Sequence, residues 1–308
     1  MNGTWNDTSE NDGQPQETAM TVYICTLLVL GIVFNSLALW VFCCRMRKKW
    51  TETVIYMTNL AMADLCLLCA LPIMLYSQRD SKEDTVLCKV SQSIYLVNRY
   101  MSISIITMIA VDRYVALQFP MQARRLRSPT CSAIICAVLW ALVIISMVTR
   151  LAWQTQDGDF CFSSKNFKFV KMSIFSLLAF FIPLIILTFC SVQVIVSLVR
   201  KKKTDAHEKK AIHKAICMIS ANLLVFLACF LPMHVALTVR LFLNNKDANT
   251  HIWQDIISIT SRLSNANCCL DAICYYFVAK EFQEASVQTI SILSRSYKLQ
   301  DSTQASIA

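Results

Sequence analysis

Arg99 stands inside the run SIYLVNRYMSISIITMIAVDRY, which is otherwise apolar enough for the interior of a bilayer. A guanidinium there costs at least about 3 kcal/mol unless it faces a polar interior. Fourteen residues separate Arg99 from Arg113, about 21 Å of helix at about 1.5 Å per residue. With Arg113 at the inner boundary of a core about 30 Å thick, Arg99 lies about 9 Å below the outer surface. Steps of about 100° carry the two residues to nearly the same face, with Tyr95 one turn above Arg99. Arg150, Arg240 and Arg262 stand near the outer ends of three other apolar runs. Guanidinium groups bind carboxylate or phosphate through paired hydrogen bonds, so the four arginines and Tyr95 describe a cavity for a small organic anion. The competing readings are an arginine that snorkels outward or pairs with a carboxylate, and, for Arg150 and Arg240, an ordinary interfacial anchor.

A second set lies deeper. Asn98 and Ser102 are four residues apart, as are Asn267 and Asp271, so each pair shares a helical face. With Asp64 they bring hard oxygen ligands towards the middle of the membrane, a site suited to a small cation such as sodium. The same groups also fit two carboxyls sharing one proton with no ion. No catalytic set accompanies them: the four histidines are scattered, and the chain has no HExxH, GxSxG or phosphate-binding loop. An enzyme is not expected, and no organic cofactor is called for.

The elements that position these residues are written in the composition. The chain has 308 residues, 56% of them hydrophobic and 16% charged, with a mean hydropathy of +0.48. That excludes disordered and ordinary soluble proteins. Seven runs are long enough to cross a bilayer, at about 20–44, 54–76, 88–118, 130–149, 168–199, 211–240 and 251–277. The segment before the first is polar and lacks a basic leader, so it reads as a mature tail, residues 1–19, with sequons at Asn2 and Asn6 that matter only if it faces the secretory lumen. The loops and tail of one side hold eighteen Lys and Arg against six Asp and Glu, and those of the other side nine against eleven. Positive charge stays on the cytoplasmic side, which sets the N-terminus outside and removes any need for nucleic acid to explain the net charge of +9. Cys88 and Cys161 are the two cysteines of the outer segments, where an oxidising lumen would join them. Pro72, Pro183 and Pro232 fall within runs and permit bends. Residues 20–277 thus form one membrane domain. Beyond it, 278–308 begin with the amphipathic KEFQEA, read as a short helix on the inner leaflet, and end in a Ser/Thr-rich tail open to phosphorylation.

Gly31-x-x-x-Asn35, Asn59-Leu-Ala-Met-Ala-Asp64-Leu, Cys88, Asp112-Arg113-Tyr114, Trp140, Pro183, Phe226-x-x-Cys229-Phe230-x-Pro232 and Tyr275 occur in order, one group per run or junction. In this pattern the chain resembles the rhodopsin-like, class A, G-protein-coupled receptors over essentially its whole length. Stretches such as NRYMSIS and SNANCCLDAICYY resemble the members of that family that respond to small acids of the kynurenate type. The resemblance implies an all-α bundle of seven transmembrane helices with a short eighth helix, resident in the cell membrane. It implies signalling through Gi/o and Rho-activating heterotrimeric G proteins, with arrestins and receptor kinases as further partners besides membrane lipids. It assigns Tyr95, Arg99, Arg150, Arg240 and Phe162 to ligand binding, and Asp112, Arg113, Tyr114, Met121, Phe226, Phe230, Pro232 and Tyr275 to activation and G-protein coupling. The chain departs from the family in four places. Asp271-Ala272 replaces the usual Asn-Pro, Phe230 a Trp, Ser191 the tyrosine that braces Arg113 in the active state, and Ile212 the acid that often restrains it. Ligand-independent signalling is therefore expected. A lysophospholipid or nucleotide is the rival ligand, because phosphate suits the same arginines, and an anion transporter or channel is the rival class.

Overall fold

In the computed structural model of the chain the described residues are 13–45, 51–79, 86–156, 167–200, 206–243 and 250–278. Among them every regular element is helical. The order is α1 (Gly13–Trp40), running into a π-helical turn (Val41–Arg45), then α2 (Glu52–Arg79), α3 (Val86–Gln118), the short α4 (Pro120–Leu126), α5 (Pro129–Gln156), α6 (Phe167–Arg200), α7 (Ala206–Phe242), α8 (Thr250–Leu263), a 3-10 turn (Ser264–Ala266) and α9 (Asn267–Val278). In hydrocarbon a backbone amide has no water to bond, so an apolar run of this length can only be helical. Six helices carry stretches long and apolar enough to cross a membrane: Thr18–Cys44, Glu52–Ile73, Lys89–Gln118, Pro129–Ala152, Ser173–Arg200 and Ala215–Phe242.

The seventh crossing departs from the expected continuous helix. It is split into α8 and α9 by the 3-10 turn. The carbonyls around the break are met by side chains: Ser264 Oγ donates to Ser261 O at 2.6 Å, Cys268 Sγ to Asn265 O at 2.9 Å, and Asn35 Nδ2, reaching over from α1, to Cys268 O at 2.9 Å. Polar side chains at apolar depth are what let a backbone leave the α-helical ladder inside a membrane.

α3 is the hub, packed against α2, α5, α6 and α7. Its buried residues Met101, Ile103 and Ile105 meet Leu60, Leu67 and Leu68 of α2, Phe180 and Leu187 of α6 and Phe226 of α7 in one core. Large apolar side chains left exposed on the outside, Ile144, Ile145, Ile185 and Phe189 among them, form the surface that lipid covers. α1 crosses close over α2 and α9 at Gly31, where an added Cβ would meet Leu68 Cδ1 and Cδ2 at 2.8 Å and Cys269 Sγ at 3.3 Å. Among the described residues thirteen cysteines are free thiols, distributed through the helices. Asn2, Asn6, Cys161, Phe162, the KEFQEA segment expected to form a helix and the Ser/Thr tail lie outside the described residues, as do the side chains of Cys88 and Tyr275.

Candidate ligand pocket and activation switch

The outer site is built where α3 faces the break in the seventh crossing. Arg99 is 5% exposed, and among the described residues no carboxylate holds it. Its Nη2 donates to Ser261 Oγ at 2.8 Å and reaches Ser264 Oγ at 3.5 Å, Nη1 points at Met233 Sδ at 3.7 Å, and its guanidinium carbon lies 4.5 Å from the centre of the Tyr95 ring one turn earlier. Tyr95 Oη bonds the same residues: it donates to Ser261 O at 2.9 Å and lies 2.6 Å from Ser261 Oγ and 3.3 Å from Ser264 Oγ. The positive charge is thus solvated by hydroxyls, and the Arg99 Nε atom has no acceptor. Hydroxyls do not neutralise a cation, so a carboxylate is the better partner for this group. Arg150, half-buried on α5, comes within electrostatic reach of Arg99 and adds to the positive field. Arg240 and Arg262 occupy the last turns of α7 and α8, both half-buried.

Beside this cluster runs an aromatic stack. His234 is fully buried, 3.8 Å from the Phe180 ring and nearly parallel to it, and Phe180 in turn lies parallel to Phe226 at 5.7 Å. Phe230 packs edge-on against Phe226 at 5.3 Å. His234 Nδ1 lies 2.7 Å from Phe230 O. A carbonyl only accepts, so Nδ1 carries the proton and Nε2, which is buried without a partner, is a bare acceptor.

The inner polar set assembles as the spacing predicts. Asn98 Nδ2 donates to Asp64 Oδ1 at 2.9 Å, and Asn267 Nδ2 to Asp271 Oδ2 at 2.5 Å. Asp64, Ser102, Asn267 and Asp271 are at most 5% exposed, and the two carboxyls are close enough to repel each other when both are charged. Asp64 Oδ2, Ser102 Oγ and Asn267 Oδ1 are buried without a partner. Together with the Asp271 carboxyl these three oxygens are a donor set that suits a hard monovalent cation. Among the described residues no group of three His, Cys, Asp or Glu is arranged to hold a metal, so nothing here favours a softer ion.

At the far end of α3 from Arg99, Arg113 Nη2 donates to Thr53 Oγ1 of α2 at 2.9 Å. Asp112 is gripped by Arg127, Nε to Oδ1 at 2.7 Å and Nη2 to Oδ2 at 3.0 Å, and the same Nη2 reaches Glu52 Oε2 at 3.4 Å. The hydrogen bonds that Arg127 donates to the Asp112 carboxylate hold its guanidinium above its ordinary pKa. Tyr114 packs edge-on against Phe119 and Phe189. Met121, in the first turn of α4, is 85% exposed. Thr53, Arg127, Ser261, Ser264 and His234 are the contributors that sequence reasoning passed over. Only His234 carried a signal, as a titratable group inside an apolar run. Ile212 is buried, and Arg113 has the Thr53 hydroxyl as its hydrogen-bond partner.

The seven-transmembrane receptor profile of the rhodopsin family matches residues 34–275. Human G-protein coupled receptor 35 is 53% identical to the chain over 312 residues, covering 100% of both, and its mouse counterpart 54% over 282 residues, covering 91% of both. Human lysophosphatidic acid receptor 4 is 31% identical over 301 residues, covering 92% of this chain and 80% of that receptor.

Proposed function

The chain belongs to the rhodopsin family of seven-transmembrane receptors, a multi-pass membrane protein that is a receptor and not an enzyme and whose partners are heterotrimeric G proteins, and on that premise we propose that it answers to a small organic acid. The observation that carries the reading is Arg99: a buried guanidinium whose neighbours among the described residues are hydroxyls and a ring face and no carboxylate. An entering carboxylate takes Arg99 from Ser261 and Ser264 with Arg150 adding attraction, and Tyr95 beside it. Arg240 and Arg262 are assigned to the rim, and Phe162 is carried as a further ligand-binding candidate from the family. Because Ser261 lies in the last turn of α8 and Ser264 opens the 3-10 turn, releasing them loosens the break that runs directly into Asn267, four residues before Asp271. An agonist shifts the balance of states only by its difference in affinity between them; here that difference is one guanidinium exchanging hydroxyl partners for a carboxylate.

Downstream, the edge-to-face pair of Phe226 and Phe230 beside Pro232 repacks, the bond from Arg113 to Thr53 breaks, and a cytoplasmic cleft opens for the G protein, with Tyr114 and Met121 at its edge and Tyr275 carried from the family as a further coupling residue. Asp64, Asn98, Ser102, Asn267 and Asp271 would hold a sodium ion in the resting state; the ion's contribution is charge that keeps two carboxylates side by side. The remainder of the reading follows the family: Gi/o and Rho-activating coupling, arrestins and receptor kinases acting on the Ser/Thr tail, the cell membrane as residence with the N-terminus outside, glycans at Asn2 and Asn6, and a Cys88–Cys161 disulfide. A second reading has one observation behind it, the likeness to lysophosphatidic acid receptor 4: a lysophospholipid whose phosphate takes the place of the carboxylate.

The test is nucleotide exchange in membranes bearing the full chain, challenged with a panel of small aromatic and aliphatic carboxylic acids, lysophosphatidate and nucleotides, on wild type and Arg99→Ala at equal surface expression. A carboxylate response that falls by about 100-fold or more in the variant is expected, the size of two lost charge-assisted bonds less the hydroxyl bond given up. A response indifferent to Arg99 discards the pocket, and a phosphate-only response selects the second reading.

A further inference from the structure

Two small cavities lie end to end in the cytoplasmic half of the bundle. One, of about 30 Å³, is lined by Arg113, Ser191 and Asn222 among apolar side chains including Leu187 and Val194. The other, of about 20 Å³, reaches Asp271 and Cys274. They share a wall made of Met57, Ile106, Ile109 and Asn222. Asn222 is the one polar side chain in that wall, and it stands on α7 between the switch arginine and the acidic core. Each cavity has room for at least one water, since about 10 to 15 Å³ of such space suffices, and each offers polar groups to bond it. An amide in the middle of an apolar helix is costly unless its hydrogen-bonding capacity is used. Asn222 offers two donors and an acceptor, enough to bond towards Asp271 and towards Arg113 at once.

We propose that Asn222 is a positioning residue that carries the state of the Asp64/Asp271 core to Arg113. In the conformation described here Arg113 is committed to Thr53 on α2. When that bond breaks, Ser191 and Asn222 are the polar side chains bordering its cavity that can receive the guanidinium. Asn222 reports to Arg113 because it also borders the cavity of Asp271, so a change of charge or hydrogen bonding in the core alters what Asn222 offers on the other side. The inference rests on the receptor reading and adds to it the route by which core and switch are linked.

A double-mutant cycle on the full-length chain tests this without a ligand. Basal nucleotide exchange is measured in membranes for wild type, Asp271→Asn, Asn222→Leu and the combination, with Asn222→Ser as the polar replacement and Asn222→Ala as a second apolar one should the Leu variant fail to reach the surface. Asp271→Asn is expected to change basal exchange by about threefold or more beside Asn222 itself or the Asn222→Ser replacement, the coupling typical of side chains in one network, and to have less than about half that effect beside Asn222→Leu or Asn222→Ala. An equal effect of Asp271→Asn in all backgrounds overturns the relay, as does a wild type indifferent to Asp271→Asn, since the core then sends no signal. Absence of exchange in every variant, wild type included, despite surface display and saturating acid, overturns the receptor reading itself.

Discussion

Substituting Ser261 by Ala should make the receptor more sensitive to acids. In the resting conformation Arg99 Nη2 donates to Ser261 Oγ at 2.8 Å, a bond that any entering carboxylate must replace. A hydrogen bond to a charged group contributes about 1.5 to 3 kcal/mol. Ser264 Oγ, at 3.5 Å, is already near the same nitrogen and can recover part of it, leaving a net loss to the empty site of about 1 kcal/mol. The agonist then meets an arginine that gives up less, and its half-maximal concentration falls about fivefold. The fold survives the change because Tyr95 Oη still donates to the Ser261 carbonyl at 2.9 Å and Ser264 Oγ to the same carbonyl at 2.6 Å. The assay is acid-stimulated nucleotide exchange in washed membranes, with receptor density set by surface labelling and the methyl ester of the same acid as the uncharged control. The ester should be equally weak on both proteins. A midpoint within twofold of wild type, or one that rises, would falsify the idea that agonist and Ser261 compete for Arg99.

Thr53→Val removes the oxygen that accepts from Arg113 and should raise basal nucleotide exchange about fivefold above a wild type that already exceeds an empty-vector control; an unchanged basal rate means that Thr53 does not restrain the switch. Gly31→Ala places a methyl group 2.8 Å from both δ-carbons of the buried Leu68, and the half-inactivation temperature in detergent should fall, the cost being about 1 to 3 kcal/mol. A variant as heat-stable as wild type would show that Leu68 simply turns away. If the core holds sodium, replacing NaCl by N-methylglucamine chloride should raise basal exchange and lower the unfolding midpoint of wild type, while Asp64→Asn should respond to neither; equal behaviour of the two proteins points to a shared proton instead.

The architecture was legible in the chain because a membrane leaves so few choices. Each run from 20–44 to 211–240 lies within a few residues of a helix in the structure, and the i to i+4 pairs, Asn98 with Ser102 and Asn267 with Asp271, converge with Asp64 as helical periodicity requires. The break in the seventh crossing was not legible: nothing in SRLSNANC stops a helix by propensity alone, and the turn exists because Ser264, Cys268 and the distant Asn35 serve its carbonyls. The restraint on Arg113 was missed for a related reason. Reading the chain pointed to Ile212 as an absent acid, whereas Thr53 lies 60 residues from Arg113 along the chain and becomes its partner only when α2 packs on α3.

What the sequence determined by itself, then, is the set of properties that depend on one helix at a time: hydrophobic length, inward face and the position of an arginine along its helix. A helix of known pitch converts residue number into position, so Arg99 at its place along α3 and Asp64 on its face follow from counting. Tertiary structure alone decided the partners. That Arg99 rests on serines of the seventh crossing, that Arg127 holds Asp112, and that Asn222 borders both the acidic core and the switch arginine depend on the rotation and register of one helix against another. Those are set by summed packing over the whole core, which no single segment of the chain encodes.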